Sequence, residues 1–341
     1  MSGVNYNLIE VKKLSKYFDV SKGAFGRKTG DLKAVNDVSF HLTQGESLGI
    51  VGESGSGKTT LGKCIIRAIQ PSHGSILFNN NGNKIDLATA SNKELRQVRK
   101  FFHMIFQDPF SSLNPTMTVL ELIKEPLIYN KIATGDEANE LVFDILEEVG
   151  LEKKHAHRYS HAFSGGQRQR IGVARSLITK PQLIVCDEPV SALDVSVQAQ
   201  ILNLLDNLKK KFNLTYIFIS HDLSVIKHIT NRVAVMYVGK IIEISETASL
   251  FKEVKHPYTE ALLSAVPIPN PSYKSKKIIL SGEIPNPVNP PSGCFFHPRC
   301  RYARDKCKEE LPTLKDCGNG HLSACHFANE LDLLSPSKIH L

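Results

Sequence analysis

The sequence has no run of about 18 consecutive apolar residues, the length a membrane-spanning helix needs, so the chain is not expected to cross a bilayer. Its first residues, Met1-Ser-Gly-Val-Asn-Tyr-Asn, lack the basic and then apolar pattern of a secretory signal, so a cytosolic chain is expected. Internal repeats, low-complexity tracts and sustained heptads are also missing, which removes solenoids and coiled coils from consideration. No Lys/Arg block dominates any segment. The formal net charge of +8 suits nucleic acid, an anionic membrane surface or plain solubility, and does not choose among them. Seven cysteines in a reducing compartment argue against a disulfide scaffold.

What is present is 341 residues, enough for one main domain with a smaller appendage. From Leu8 to about Ser245, β-branched runs alternate with helical patterns, the signature of an α/β fold in which helices cross over a sheet. The clearest strands are Ser47–Val51, Leu183–Asp187 and Thr215–Ser220. Each is a continuous apolar run that ends on polar residues, as expected of a strand covered on both faces with a ligand at its end. Helices are expected at Lys58–Ile69, Thr118–Ile128, Glu137–Val149, Gln167–Ile178 and Val197–Phe212. Eight prolines between Pro267 and Pro298 then predict an extended linker before a small C-terminal module.

The run Gly52-Glu53-Ser54-Gly55-Ser56-Gly57-Lys58-Thr59, with Thr60 next, fits a P-loop between a strand and a helix. Its glycines let backbone N–H groups curl toward phosphate, and the helix N-terminus adds favourable dipole. Lys58 supplies a point charge for the β and γ phosphates of ATP, and the Thr59 hydroxyl can coordinate Mg²⁺. The bland alternative is a Gly-rich turn with a chance lysine. A P-loop alone also admits kinases and GTPases.

Two further elements decide. Ser164-Gly165-Gly166-Gln167 opens a helix with a hydroxyl and bare amides at its positive end, although such a Ser is also an ordinary N-cap. Leu183-Ile-Val-Cys-Asp187-Glu188 delivers two carboxylates to the end of a buried strand. Together these segments resemble the ABC ATPases. The resemblance implies that Ser164–Gln167 is the signature, acting on the γ-phosphate held by a partner subunit's P-loop. It implies that Asp187 holds Mg²⁺ and that Glu188 is the general base polarising the attacking water. Gln107 resembles the Q-loop glutamine, a neutral ligand for Mg²⁺ and water, His221 the switch histidine, and Asp194 the contact across the dimer. Either Tyr17 or Phe18 can stack on adenine, and the resemblance favours Phe18, against the alternative of a core aromatic.

The resemblance covers nearly the whole chain and narrows to the F-type ATPase subunit of oligopeptide and dipeptide importers. It rests on Phe106-Gln-Asp-Pro-Phe-Ser-Ser-Leu-Asn-Pro115, Phe163 before the signature, His256-Pro-Tyr-Thr259, and Lys33–Phe40. The implied fold is a P-loop ATPase core with an antiparallel β subdomain, a helical subdomain and a Cys-rich C-terminal module. The corresponding domains are residues 1–250, with the helical subdomain at about 108–178, then a linker at 251–293 and the module at 294–341. The implied partners are a second ATPase subunit in a heterodimer, two transmembrane permease subunits and, indirectly, an extracytoplasmic peptide-binding protein. The implied location is the cytoplasmic face of the membrane, with no role for nucleic acid. Importers of nickel or another small solute, and a soluble ABC ATPase acting on nucleic acid, are the competing functions; tandem cores or a coiled-coil insertion would mark the latter.

Cys294, Cys300, Cys307 and Cys325 are separated by five, six and seventeen residues, which is not the paired spacing of zinc ribbons. Thiolates in a short, poorly hydrophobic segment nevertheless suit a metal that replaces a core. Similarity to the peptide-importer ATPases implies a 4Fe-4S cluster on these four residues, with Cys317 outside the pattern; free thiols and zinc are the alternatives.

Overall fold

The computed structural model describes residues 6–22, 27–108, 112–266 and 277–335. Pro109, Phe110 and Ser111 of the Phe106–Pro115 stretch lie outside the described residues, as do Pro267, Pro269 and Pro271 of the expected linker. So do residues 1–5 and 336–341, at the outer ends of the first and last expected domains.

In chain order the strands are β1 (Asn7–Lys22), β2 (Arg27–Thr43), β3 (Ser47–Val51), β4 (His73–Asn80), β5 (Asn83–Asp86), β6 (Phe102–Ile105), β7 (Leu183–Asp187), β8 (Thr215–Ile219), β9 (Arg232–Tyr237), β10 (Lys240–Glu246), β11 (Lys315–Asp316) and β12 (Leu322–Ser323). The helices are α1 (Lys58–Ile65), α2 (Asn92–Val98), α3 (Val119–Tyr129), α4 (Gly135–Glu148), α5 (Gly165–Leu177), α6 (Val195–Phe212), α7 (Leu223–Ile229), α8 (Thr247–Lys252), α9 (Pro257–Ser264) and α10 (Asp305–Glu309). The apolar runs read as strands became β3, β7 and β8, each buried along its whole length. The helix expected over Lys58–Ile69 stops at Ile65. Arg67 takes φ 57°, and the N–H groups of Arg67 and Ala68 turn back to the carbonyls of Cys64 and Lys63, which closes the helix.

The chain divides into two compact units. The described parts of the first fall within Asn7–Leu42, Ser47–Thr89 and Ile219–Leu341. It holds a four-stranded sheet in the order β2-β1-β4-β5. Ile9 faces Phe78 and Val11 faces Ile76 across the antiparallel β1–β4 ladder, and all four are buried. A bulge between Lys12 and Ser15, with Lys13 at φ 48°, bends β1. The unit's other strands run β11-β12-β10-β9-β3, with β3 parallel to β9 and the remaining pairs antiparallel. Pairing of Leu322 with Ile244 and of Ser323 with Glu243 covers the β10 edge, so the described residues 277–335 fold as part of this unit.

The second unit carries the order β8-β7-β6, with β6 parallel to β7, and the helices α2 to α6. Leu122 and Ile123 of α3, Val142 and Leu146 of α4, and Ile171 and Ala174 of α5 are buried where these three helices pack. Burying each Leu or Ile is worth about 1.5–3 kcal/mol, more than the helices could gain from propensity alone. A capping box starts α3: Glu121 N–H donates to Thr118 Oγ1, and Thr118 N–H donates to the Glu121 carboxylate. Among the described residues no helix is long and apolar enough to cross a membrane.

Candidate nucleotide site

The residues expected to hold phosphate lie in the first unit, between β3 and α1. Gly52 sits at φ 151° and Gly57 at φ 102°, and a Cβ on either would come within 2.2 Å of Met236 O or 2.0 Å of Ala34 O. Only glycine fits both the backbone angles and the close approach of neighbouring chain. Gly57 also N-caps α1, with no side-chain cap bond. Lys58 is 6% exposed and donates from Nζ to Gly52 O at 2.7 Å, to Glu53 O at 2.9 Å and to Ser56 Oγ at 3.4 Å. The ammonium thus spans the loop it belongs to. Ser54 and Gly55 are exposed at its tip, and Thr59 and Thr60 are half-buried in the first turn of α1.

His221 belongs to the same unit and is exposed. The preceding Ser220 donates its N–H to Ile50 O, two residues before Gly52, which brings the histidine's backbone beside the strand that feeds the loop. On β1, Phe18 is 39% exposed with Lys16 Nζ 4.8 Å from its ring centroid, whereas the Tyr17 hydroxyl donates to Asn36 Oδ1 and its ring meets His73 edge-on. Of the two aromatics weighed for adenine, Phe18 is the more exposed.

The second unit carries the carboxylates. Asp187 ends β7 and is buried, and Glu188 follows at φ 47°, a conformation that L residues adopt at a strain of about 1–3 kcal/mol. Gln107 Nε2 donates to Glu188 Oε2 at 3.0 Å, so two of the expected catalytic side chains are in contact. Ser164 does act as an N-cap: Gln167 N–H donates to its Oγ at 3.4 Å, and Ser164 N–H donates to Gln167 Oε1 at 3.1 Å. Ser164 is exposed, and a Cβ on Gly166 would lie 2.5 Å from Val197 Cγ1, so α5 starts tight against α6. Asp194 is the exposed N-cap residue of α6, with its side chain making no cap bond.

The cysteine expectation is corrected. Among the described residues no group of three or more His, Cys, Asp or Glu is arranged to hold a metal ion, and the iron–sulfur, 4Fe-4S and metal-binding readings of Cys294, Cys300, Cys307 and Cys325 fall with it. The four thiols line a cavity of about 20 Å³, room on the order of one water molecule. Burial pushes Cys300 up to about 11, Cys325 up to about 12, and Cys294 upward as well, as expected of thiols packed away from water. The missing core is supplied instead by Phe296, 2% exposed, whose ring packs 5.3 Å from Tyr237, 5.4 Å from Tyr258 and 5.8 Å from His256.

Two residues beside the phosphate loop were missed. Tyr258 accepts the Glu53 N–H at 2.8 Å, and Arg299 donates to both carboxylate oxygens of Glu53 at 2.7 and 3.0 Å. The His256–Thr259 stretch was conspicuous in the sequence, but nothing local ties position 258 or 299 to position 53.

Residues 35–191 match the family described as ABC transporter, and residues 242–307 match the oligopeptide/dipeptide transporter C-terminal region. The chain is 52% identical over 323 residues to the oligopeptide transport ATP-binding protein AppF of Bacillus subtilis, covering 94% of this chain and 97% of that one. It is 48% identical to the probable peptide ABC transporter ATP-binding protein y4tS of Sinorhizobium fredii, covering 94% and 89%. Among solved structures, the ATP-binding cassette MJ0796 in a dimeric post-hydrolysis state bound to ADP and Pi aligns with TM-score 0.60 and 26% identity, over 70% of this chain and 98% of that one. The cbiO1 subunit of Clostridium perfringens aligns with the same score and identity over 72% and 90%. The fold is therefore that of an ABC ATPase, and the chain belongs to the family of oligopeptide ABC transporter ATP-binding proteins.

Proposed function

We infer that this chain hydrolyses ATP to power the import of oligopeptides, with the phosphate loop at Gly52–Thr59 binding phosphate and the carboxylate pair Asp187–Glu188 serving hydrolysis. The observation that carries the reading is the Gly52 and Gly57 backbone, where neighbouring carbonyls leave no room for a Cβ, with a lysine buried along the loop. Amides of the loop beyond Glu53, whose own N–H is taken by Tyr258, bind the phosphate oxygens, and Lys58 exchanges part of its carbonyl contacts for the β and γ phosphates. Phe18 stacks on adenine. The Thr59 hydroxyl of the first unit, and Asp187 with the neutral Gln107 in the second, are each hard oxygen donors suited to Mg²⁺, which when bound would neutralise charge on the β and γ phosphates.

Glu188 accepts a proton from the attacking water, or holds that water in line, while Gln107 keeps the carboxylate oriented through the bond at Oε2. His221 donates to the γ-phosphate. The Ser164–Gln167 start of α5 and Asp194 act on the nucleotide of a second ATPase subunit, so one chain alone is a weak ATPase. The assembly proposed is a heterodimer of ATPase subunits on two transmembrane permease subunits, at the cytoplasmic face, supplied by an extracytoplasmic peptide-binding protein. The division proposed is an ATPase domain at 1–250 with its helical subdomain at about 108–178, followed by a 251–293 stretch carrying α9 and a Cys-rich segment from 294 that belong to the first unit, without an iron–sulfur cluster.

The test is reconstitution of the chain with its permease and ATPase partners in vesicles. ATP-dependent accumulation of labelled oligopeptide is expected. ATP turnover unaffected by peptide and binding protein, with no peptide uptake, would overturn the cargo assignment.

A further inference from the structure

Glu53 places a carboxylate inside a loop whose task is to receive the negative charge of phosphate. In isolation this is an adverse choice, because like charges a few ångströms apart repel strongly where solvent is thin. Both the backbone and the side chain of Glu53 are held by residues that follow position 250. Its N–H donates to Tyr258 Oη at 2.8 Å, and Arg299 grips its carboxylate with both Nη atoms. Nη1 of Arg299 also donates to Tyr237 Oη at 3.3 Å, and its guanidinium carbon lies 5.9 Å from the Tyr237 ring centroid.

This is a built arrangement. Tyr237 and Tyr258 are at most 1% exposed, and the Arg299 side chain is 6% exposed. Arg299 ends the short His297–Arg299 helical turn, three residues after the buried Phe296 that packs on both tyrosines. Nε of Arg299 is buried with no partner, so the fork serves Glu53 although one of its own donors goes unsatisfied. Bidentate geometry of this kind fixes direction as well as charge, which an ammonium cannot do.

We propose that Arg299 is a positioning residue of the phosphate loop: it neutralises the Glu53 carboxylate and, with Tyr258, fixes the Glu53 peptide, so that ATP affinity depends on the C-terminal segment. The proposal rests on the reading of residues 52–59 as the phosphate loop. It gives the segment a task that needs no metal, namely supplying the countercharge and the hydroxyl that hold the loop in its binding shape.

The experiment measures MgATP binding to the full-length chain by equilibrium dialysis for wild type, Arg299→Ala, Arg299→Lys, Glu53→Gln and the Arg299→Ala/Glu53→Gln pair, and steady-state ATPase in the assembled transporter. Arg299→Ala is expected to weaken ATP binding about tenfold, equivalent to about 1.4 kcal/mol, with kcat at saturating ATP within about threefold of wild type. Arg299→Lys keeps the charge but loses the fork, so a loss of about threefold is expected. Glu53→Gln alone supplies the baseline against which the paired variant is read. In the Arg299→Ala background it should restore most of the loss, because the uncompensated carboxylate is then gone.

Unchanged affinity in Arg299→Ala, or a double variant as weak as Arg299→Ala, would overturn the proposal and leave Arg299 a packing residue. Should Arg299→Ala fail to fold by circular dichroism, Arg299→Lys carries the test alone, and wild-type affinity there overturns it equally. Failure of the wild-type chain to bind MgATP would instead refute the phosphate-loop reading itself.

Discussion

Gln107 Nε2 donates to Glu188 Oε2 across 3.0 Å, joining the residue just past β6 to the residue just past β7. Because β6 and β7 are parallel neighbours, their ends lie side by side, and two residues 81 positions apart in sequence become partners. Glu188 is further constrained by φ 47°, so its carboxylate is aimed by both backbone and neighbour.

Glu188→Gln keeps the shape and leaves an amide oxygen to accept from Gln107, but removes the base. ATP affinity is expected to stay within about threefold while turnover in the assembled complex falls at least about tenfold, the lower edge of what a general base contributes. Single-turnover hydrolysis beside nucleotide dialysis separates the two quantities. Undiminished turnover would reassign the role of Glu188.

Gly57 and Gly55 make a matched pair for the loop. Gly55 has φ 79° but open space around it, so Gly55→Ala should bring only the strain of a left-handed alanine, about 1 kcal/mol. Gly57→Ala adds a contact at 2.0 Å with Ala34 O, which no flexible side chain can relieve. It should lower the melting temperature by several degrees more than Gly55→Ala and abolish measurable ATP binding, checked by thermal unfolding and dialysis. Equal melting temperatures would show that the loop is free to shift.

Lys58 bridges Gly52 O and Glu53 O from a buried position, so it has a structural role before it has a phosphate one. Lys58→Met should therefore do two things. ATP binding should be lost, and the stability measured without ATP should fall by about 1.5–3 kcal/mol, the usual worth of hydrogen bonds to a charged group. Urea unfolding in ATP-free buffer is the check. A lysine acting on phosphate alone would leave that stability unchanged.

The strands at Ser47–Val51 and Leu183–Asp187 were legible because burial on both faces leaves an unbroken apolar signal, and the glycines of the loop announce their own backbone angles. Glu53, Tyr237, Tyr258 and Arg299 were not legible as a set. They meet only because β9 pairs with β3 and the C-terminal segment folds back onto the same unit, a relation with no local signature. The cysteines misled for a related reason. A short, proline-rich, thiol-rich segment reads as coreless, yet long-range packing of Phe296 on Tyr237, Tyr258 and His256 gives it a core. Ser164 shows a third case, since its capping bond and its expected contact with a partner's phosphate use the same residue type, and sequence alone does not separate them.

His256 makes the fold sensitive to acid. It is 2% exposed, accepts the Tyr258 N–H on Nδ1 at 3.1 Å as the N-cap of α9, and burial depresses it from 6.5 to about 3. The unfolded chain binds a proton below 6.5 that the native chain refuses until about 3, so the contribution is complete above 6.5 and shrinks as pH falls through that window. At about 1.4 kcal/mol per pH unit, acidification from about pH 6.5 to about pH 5 should remove roughly 2 kcal/mol on this account. His103 in the other unit, depressed by burial to about 4, acts in the same direction. His256→Asn retains an oxygen able to cap α9 but cannot titrate. Urea midpoints across this range should show the acid loss of the first unit reduced by roughly 2 kcal/mol and not abolished, since carboxylates titrate as well. Identical slopes for variant and wild type would mean that His256 takes up its proton in the native chain, and that the Tyr237, Tyr258 and Phe296 packing around it opens to water.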